Sequence, residues 1–432
     1  MNKAYKFRIY PTKDQIKYFE ESVRTNRFIY NTFLRKQMDV LEEANEKFGG
    51  DKKSRNEYMT KNSLWFNKFE VSRELTQMGK KEEYSFLMNI DATSKSYVLK
   101  NLDSAFKGIK SGGGFPKFKN RLSSFCFTGQ IQNSETKPKS MKLFDVKDKI
   151  CTLNLPKCKN IKMVCHIPFF IENWSNINVI KFNSYTISRK GKDKYFVSFQ
   201  VEVEDIKFKQ KEIKKETSLG IDFGVKRPIT TSDMCDFNST VYGNQFNLLK
   251  KYSLELKKLS SILNRKRDFH KKNKSEIKFS ETASFKRISK KLSNTHVKIS
   301  NIRENLQHNI TSNLVNNENY DTFIIEDLKI KNMTKKSGKG LSNKKSNLNR
   351  VMLDSGLGTI KTQLEYKSKN IGKNLVLVDP KYTSQTCSLC GHVSKLNRQK
   401  QDSFKCVSCG HEANADFNAA VNIKNKYFIQ NP

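Results

Sequence analysis

The chain has 432 residues, with 81 Lys plus Arg against 43 Asp plus Glu, a formal net charge of +38 and 36% hydrophobic residues. That balance points to a polyanion as partner, and the length and apolar content support two or three folded domains, which excludes a disordered basic tail. No apolar run approaches the roughly 18 residues of a membrane span and no lipidation motif stands at either end, so nucleic acid is favoured over a membrane surface.

At the N-terminus, "KAYKFRIYPT" alternates Tyr5, Phe7 and Ile9 with Lys6, Arg8 and Tyr10, the period of a half-buried strand, and Pro11 ends it. Thr12 and Gln15 form a capping box for a helix with Ile16, Phe19 and Val23 on one face. Helical, polar sequence then runs to about Lys110, with a flexible, charged interruption expected at "KFGGDKKSRNE". In "SGGGFPKFKNRLSSFCFT", Lys117, Phe118, Lys119 and Arg121 combine cations, an aromatic ring and glycines, a composition suited to base stacking and phosphate contact. Core aromatics flanking a solvated turn would give the same pattern. "NVIKFNSYTISRKG" and "KYFVSFQVEVED" read as an antiparallel hairpin, so a β-rich module brackets the helices.

After a lysine-rich linker, Leu219 to Phe223 is an apolar strand carrying one carboxylate, Asp222. An unpartnered buried charge costs several kcal/mol, so Asp222 lies at the strand's wet end or is held by a cation. "YDTFIIEDLKI" repeats the device, with Phe323, Ile324 and Ile325 leading to Glu326 and Asp327. Between them, Asn247 to Asn273 and Ser284 to Asn317 read as two long basic helices, giving strand, helical crossover, strand. The segment Lys329 to Arg350 has eight basic residues and no acid, as a mobile lid or a solvated linker would.

Cys387, Cys390, Cys406 and Cys409 fit C-x2-C-x15-C-x2-C, the spacing of a structural zinc site, with Gly391 and Gly410 for the tight turns. Two disulfides are the alternative, in a chain without a secretory signal. His392 and His411 are then surface residues, and Cys126, Cys151, Cys158, Cys165 and Cys235 are reduced, mostly buried thiols. Asn414 caps a final helix with Phe417, Ala420 and Val421 on its inner face, which puts Asp416 in the first turn. Carboxylates at strand and helix ends that converge on one sheet edge supply the oxygen ligands a hard divalent cation needs, although such residues also serve as caps and ion pairs.

Taken together, "GIDFGVKRP", "FIIEDLKIKNM", "DPKYTSQTCSLCGH", "FKCVSCGHEANADFNAAVNI", "FPKFK", "QLEYKS" and the N-terminal "YKFRIYPTKDQ" resemble the TnpB family of transposon-encoded RNA-guided nucleases, relatives of the miniature type V CRISPR effectors. The resemblance covers nearly the whole chain. It implies a multidomain α+β protein, with a wedge-type β-barrel in residues 1–11 and 111–210 around a helical recognition insertion in residues 12–110. It further implies an RNase H-like RuvC nuclease domain in residues 217–385 and 413–432, with a crossover at 247–317, a lid at 329–350 and a zinc ribbon at 386–412. By the same resemblance Asp222, Glu326 and Asp416 are the magnesium-binding catalytic triad, holding two ions, and the four cysteines bind zinc. The implied partners are a guide RNA and double-stranded target DNA, in a prokaryotic cytoplasm, with Lys335, Lys336, Lys344 and Lys345 of the lid also meeting nucleic acid. The alternatives are a nuclease-inactive RNA-guided repressor, a type V effector using repeat-spacer RNA and, with least support, a strand-joining transposase.

Overall fold

The computed structural model describes residues 2–431 apart from 122–123, 132, 135–136, 139–142, 148–149, 165–178, 192, 205–209, 225–228, 235–239, 274–276, 330–355 and 401. The chain divides into two compact units, Met1–Asp205 and Ile206–Pro432, each with its own hydrophobic cores. Among the described residues no helix is long and apolar enough to cross a membrane.

The first unit opens with strand β1 (Asn2–Tyr10), whose alternation buries Phe7 and Ile9 and exposes Tyr10. Helix α1 (Lys13–Lys47) starts with the capping box: Gln15 N donates to Thr12 Oγ1 at 3.3 Å and Thr12 N to Gln15 Oε1 at 2.9 Å. Where a flexible interruption is expected, the chain makes a tight turn. Gly49 and Gly50 adopt φ of +54° and +86°, and Asp51 caps α2 (Lys52–Lys61) by accepting from the amides of Lys53 and Ser54. Helices α3 (Lys68–Met78) and α4 (Ala92–Lys110) share a core with α1 around Phe33, Leu34, Leu75 and Leu99.

The remaining strands of this unit are β2 (Cys126–Gln130), the short hairpin β3 (Asn133–Ser134) and β4 (Lys137–Pro138), then β5 (Leu143–Lys147), β6 (Ile150–Leu155), β7 (Cys158–Val164), β8 (Val179–Lys190) and β9 (Lys194–Val203). Six of them join β1 in a seven-stranded antiparallel sheet in the order β2-β8-β9-β1-β7-β6-β5, filled by Phe7, Phe127, Leu153, Tyr185 and Phe199. Among the described residues β2 and β5 are unjoined ends of this sheet, a curled half-barrel where a closed barrel is expected. Cys151 and Cys158 are buried as expected, but Cys126 is exposed because it starts β2 on the outward side of the alternation; Cys165 and Cys235 lie outside the described residues.

The second unit contains β10 (Ser218–Asp222), β11 (Thr230–Thr231), α5 (Thr240–Lys272), α6 (Ala283–Asn316), β12 (Thr322–Glu326), α7 (Leu357–Lys369), β13 (Asn374–Val378), β14 (Ser403–Lys405), β15 (Glu412–Asn414) and α8 (Ala415–Gln430). Its main sheet has the order β11-β10-β12-β13, with β10, β12 and β13 parallel and β11 antiparallel to β10. Phe323, Ile324 and Ile325 are completely buried, as a parallel strand covered on both faces requires. The two crossover helices pack on each other, and the second, α6, shares a core with α7 through Leu306, Leu314, Ile360 and Leu364.

Candidate active site and metal centre

Parallel pairing sets Ile221 opposite Ile325, so Asp222 and Glu326 are the next residues of adjacent strands, side by side at the carboxyl edge of the sheet. That edge is where open α/β sheets place ligands. Asp416 arrives from the first turn of α8, which packs directly on β10. Gly220 permits the approach, since a Cβ there would stand 2.2 Å from the carbonyl oxygen of Ala420. Asn414 caps α8 by accepting from the amides of Asp416 and Phe417 at 3.1 and 3.2 Å.

All three carboxylates line one cavity of about 320 Å³, together with Thr383, Arg398 and Asp402. Burial, reinforced by the charges of Glu326 and Asp416, pushes the Asp222 carboxyl up to about 7, against the opposing pull of Arg398. Burial also raises Glu326, whose carboxylate accepts a hydrogen bond from the hydroxyl of the buried Thr383. Asp416 is held at 3.0 Å by the Arg398 guanidinium. Crowded, partly desolvated carboxylates, with Asp222 and Glu326 raised by burial, are a donor set that a divalent cation satisfies. The carboxylates share the cavity without closing on one point: among the described residues, only the cysteine cluster gathers three or more ligand atoms within 4.8 Å of one another.

That cluster is Cys387, Cys390, Cys406 and Cys409, with Sγ separations of 3.7 Å for Cys387–Cys409 and 3.6 Å for Cys390–Cys406. A disulfide needs about 2.05 Å. A tetrahedron with the usual zinc–sulfur bond of about 2.3 Å sets its sulfurs roughly 3.8 Å apart, which these distances match. The two knuckles share one backbone pattern: Gly391 N donates to Cys387 O and Cys387 N to His392 O, while Gly410 N donates to Cys406 O and Cys406 N to His411 O. Both glycines have positive φ, +75° and +71°. The Cys409 amide, 3.5 Å from Cys406 Sγ, favours that thiolate and brings it down to about 6. His392 is exposed and His411 half-buried, and neither belongs to the sulfur cluster.

Sequence patterning missed the asparagines that bind these parts together. Asn397, 1% exposed, donates to the carbonyls of Gln385 and His392 and accepts from Val407 N, so it joins the knuckles. Asn418 and Asn422 lie on the buried face of α8 with Ala420, which was expected there, while Phe417 and Val421, also expected there, are only half-buried. The available signal was their four-residue spacing beside Ala415 and Ala419. Arg398 and Asp402 carried no sequence signal, being two charges in a polar loop.

In the first unit, the amide group of Asn31 clamps the Lys119 backbone through two bonds of 2.8 Å, and Lys119 Nζ lies 4.1 Å from the Tyr30 ring centre. Lys119 and Arg121 line a cavity of about 870 Å³ with Arg24, Arg27, Arg189 and Phe125. Lys117 and Phe118 are exposed outside that lining, where the Arg35 guanidinium sits 5.1 Å from the Phe118 ring centre. The aromatics of this stretch divide: Phe127 is core, whereas Phe115 and Phe118 are each 42% exposed. Lys335, Lys336, Lys344 and Lys345 lie outside the described residues.

Three segments match known families: residues 1–47 a "Helix-turn-helix domain", residues 198–337 a "Probable transposase" and residues 358–423 a "Cas12f1-like, TNB domain". The first of these is here a strand followed by one 35-residue helix. The chain is 28% identical over 429 residues to InsQ of Escherichia coli (strain K12), named as a candidate RNA-guided DNA endonuclease, covering 97% of this chain and 91% of InsQ. It is 48% identical over 64 residues to the CRISPR-associated endodeoxyribonuclease Cas12f1 of Sulfoacidibacillus thermotolerans, 15% of each chain. A cryo-EM structure of a Cas12f1–sgRNA–target DNA complex aligns over 99% of both chains at 15% identity, with a TM-score of 0.49.

Proposed function

We propose that this chain is a member of the TnpB/OrfB (IS605) family and, from that premise, an RNA-guided DNA endonuclease. It binds a structured guide RNA, uses a short target-adjacent DNA motif and hydrolyses DNA at an RNase H-like, RuvC-type site. The observation that carries this reading is the meeting of Asp222, Glu326 and Asp416, from two parallel strands and a later helix, in one cavity of a chain with net charge +38.

Asp222, Glu326 and Asp416 would hold magnesium, and Asp402 lines the same cavity. Magnesium, if held by these carboxylates, would supply charge neutralisation for the phosphodiester and Lewis acidity for the attacking water. The chain's own residues supply the rest. Asp222 must give up its proton to become a ligand. Arg398, paired with Asp416 at the cavity wall, offers a planar donor fork suited to phosphate. The knuckle, read as a zinc ribbon, fixes the loop carrying Arg398. Basic side chains such as Arg24, Arg27, Lys119 and Arg121 of the first unit hold nucleic acid backbone, while base pairing to the guide reads sequence.

The sequence match to InsQ spans nearly the full length, whereas that to Cas12f1 of Sulfoacidibacillus thermotolerans spans 64 residues, which favours an enzyme of the InsQ kind over a type V effector. Retention of all three carboxylates speaks against a nuclease-inactive repressor. The test is to purify the protein with its copurifying RNA, sequence that RNA and assay cleavage of a matching target. RNA overlapping a transposon end with magnesium-dependent cutting supports the reading. Repeat-spacer RNA supports the CRISPR alternative, and target binding without cutting supports the repressor.

A further inference from the structure

The carboxylates of the candidate site come from elements far apart in sequence, and the strand pairing that aligns Asp222 with Glu326 does not reach Asp416. A chain of hydrogen bonds does. The hydroxyl of Thr383, 4% exposed, donates to the Glu326 carboxylate, with the carbonyl oxygen of Pro380 as a second acceptor at 3.0 Å. The carbonyl of Thr383 accepts from Asn422 Nδ2 at 2.9 Å, and Asn422 also donates to Thr386 O at 2.6 Å. Asn418 donates to the same Thr386 carbonyl at 2.8 Å and accepts from Ser388 N at 2.9 Å. Both asparagines belong to α8, the helix that begins one residue before Asp416.

We propose that Thr383 is a positioning residue for the metal site: its hydroxyl fixes the Glu326 carboxylate, and Asn418 and Asn422 tie its loop to the helix that carries Asp416. The proposal rests on the reading of Asp222, Glu326 and Asp416 as cation ligands. A glutamate at a strand end has three rotatable side-chain bonds, and an unrestrained carboxylate must be ordered when a cation binds. One donor on one oxygen restrains it beforehand and leaves the second oxygen for the ligand. Because Pro380 O offers the hydroxyl an alternative acceptor, the donor can swing aside without being left unpaired. The same loop continues to Cys387 through the backbone anchored by Asn418, so the sulfur cluster braces the end of the loop opposite Glu326.

Manganese serves as a paramagnetic stand-in for magnesium. The full-length, zinc-loaded protein without nucleic acid is titrated with Mn2+ and followed by electron paramagnetic resonance, for the wild type, Thr383→Val, Thr383→Ser and Asp416→Asn. Loss of a hydrogen-bond partner behind a metal ligand typically costs about 10- to 100-fold in metal affinity. Thr383→Val is nearly isosteric and should weaken Mn2+ binding by about that factor, with the same shift in the magnesium needed for half-maximal cleavage by the guide-loaded protein. Thr383→Ser should stay close to wild type. Wild-type affinity in Thr383→Val, or a serine variant as impaired as the valine one, overturns the proposal. Unchanged Mn2+ binding by Asp416→Asn overturns the carboxylate site itself, a distinguishable failure. Should Thr383→Val lose its cooperative melt, Thr383→Ala, which removes the hydroxyl without adding volume, is judged by the same outcomes.

Discussion

Replacing Gly220 by alanine tests whether the site depends on close contact between strand β10 and helix α8. The added methyl carbon would lie 2.2 Å from the Ala420 carbonyl oxygen, 2.8 Å from Lys424 Cβ and 2.9 Å from Lys424 N. Non-bonded heavy atoms prefer roughly 3.5 Å, so the helix must retreat by more than about 1 Å, and because two of the three obstacles are backbone, no rotamer change relieves them. Overpacking of this kind costs about 1–3 kcal/mol, against the roughly 0.4–1 kcal/mol that Gly→Ala gains by restricting the unfolded chain. Net destabilisation of about 1–2 kcal/mol should lower the melting temperature by a few degrees. Function should suffer more than stability, because α8 carries Asp416 and a 1 Å misplacement can cost about 100-fold in rate. Gly243→Ala is the control: that position is open space on helix α5, and alanine there should be neutral or stabilising by up to about 1 kcal/mol. Melting curves and guide-directed cleavage rates decide the matter. A Gly220→Ala protein that melts at or above wild type and cuts at the wild-type rate would refute the reasoning.

Asp416→Asn keeps size and much of the hydrogen bonding but removes a negative ligand, so cleavage should almost vanish while guide and target binding persist; near-normal cutting removes Asp416 from the site. Combining it with Asp222→Ala should add little, because residues that act as a unit are strongly non-additive. Cys406→Ser should lower both zinc content and melting temperature, because a structural zinc site contributes folding free energy directly; undiminished zinc with unchanged melting contradicts the assignment. The pH dependence follows from Asp222, whose carboxyl is raised from 3.8 to about 7 in the fold. Without metal its contribution to stability is fully present below the unfolded value and is lost as pH rises through about 7. Metal must displace that proton, so Mn2+ affinity measured by calorimetry should rise by about tenfold per unit approaching pH 7 and level off above; a flat profile from pH 5 to 8 counts against this account.

Much of the fold was legible because it rests on local rules. The alternation of β1, the Thr12–Gln15 box and the unbroken apolar run Phe323 to Ile325 each express a period or a cap that few residues determine. Element ends were less legible: α5 begins at Thr240, ahead of the expected Asn247, since Gly243 and Asn244, poor helix formers, interrupt the pattern between Tyr242 and Phe246. Nor did strand patterns reveal that the seven-stranded sheet stays unclosed among the described residues. Closure depends on stagger and tilt between β2 and β5, which no single strand encodes.

The candidate site divides along the same line. Asp222 and Glu326 could be singled out because a charge ending an apolar strand breaks a pattern, and the cysteines because their spacing is itself a pattern. Thr383, Arg398, Asn418 and Asn422 break nothing: a threonine in a loop, an arginine in a polar stretch and asparagines in a helix are ordinary residues until the neighbours they bind are known. Their partners lie 57, 18, 32 and 39 residues away, so the information is in the tertiary contact and not in the local sequence. The expected inner face of α8 holds at Ala420, which is fully buried, and fails at Phe417 and Val421 for this reason. An apolar criterion chose Phe417 and Val421, whereas the helix turns Asn418 and Asn422 inward to satisfy loop carbonyls that would otherwise be buried without donors. A buried carbonyl left unpaired costs about 1–3 kcal/mol, comparable to what burying one more aliphatic side chain contributes, so hydrogen-bond demand from the knuckle loop is strong enough to set the rotation of the helix. That rotation in turn aims Asp416 at the cavity shared with Asp222 and Glu326.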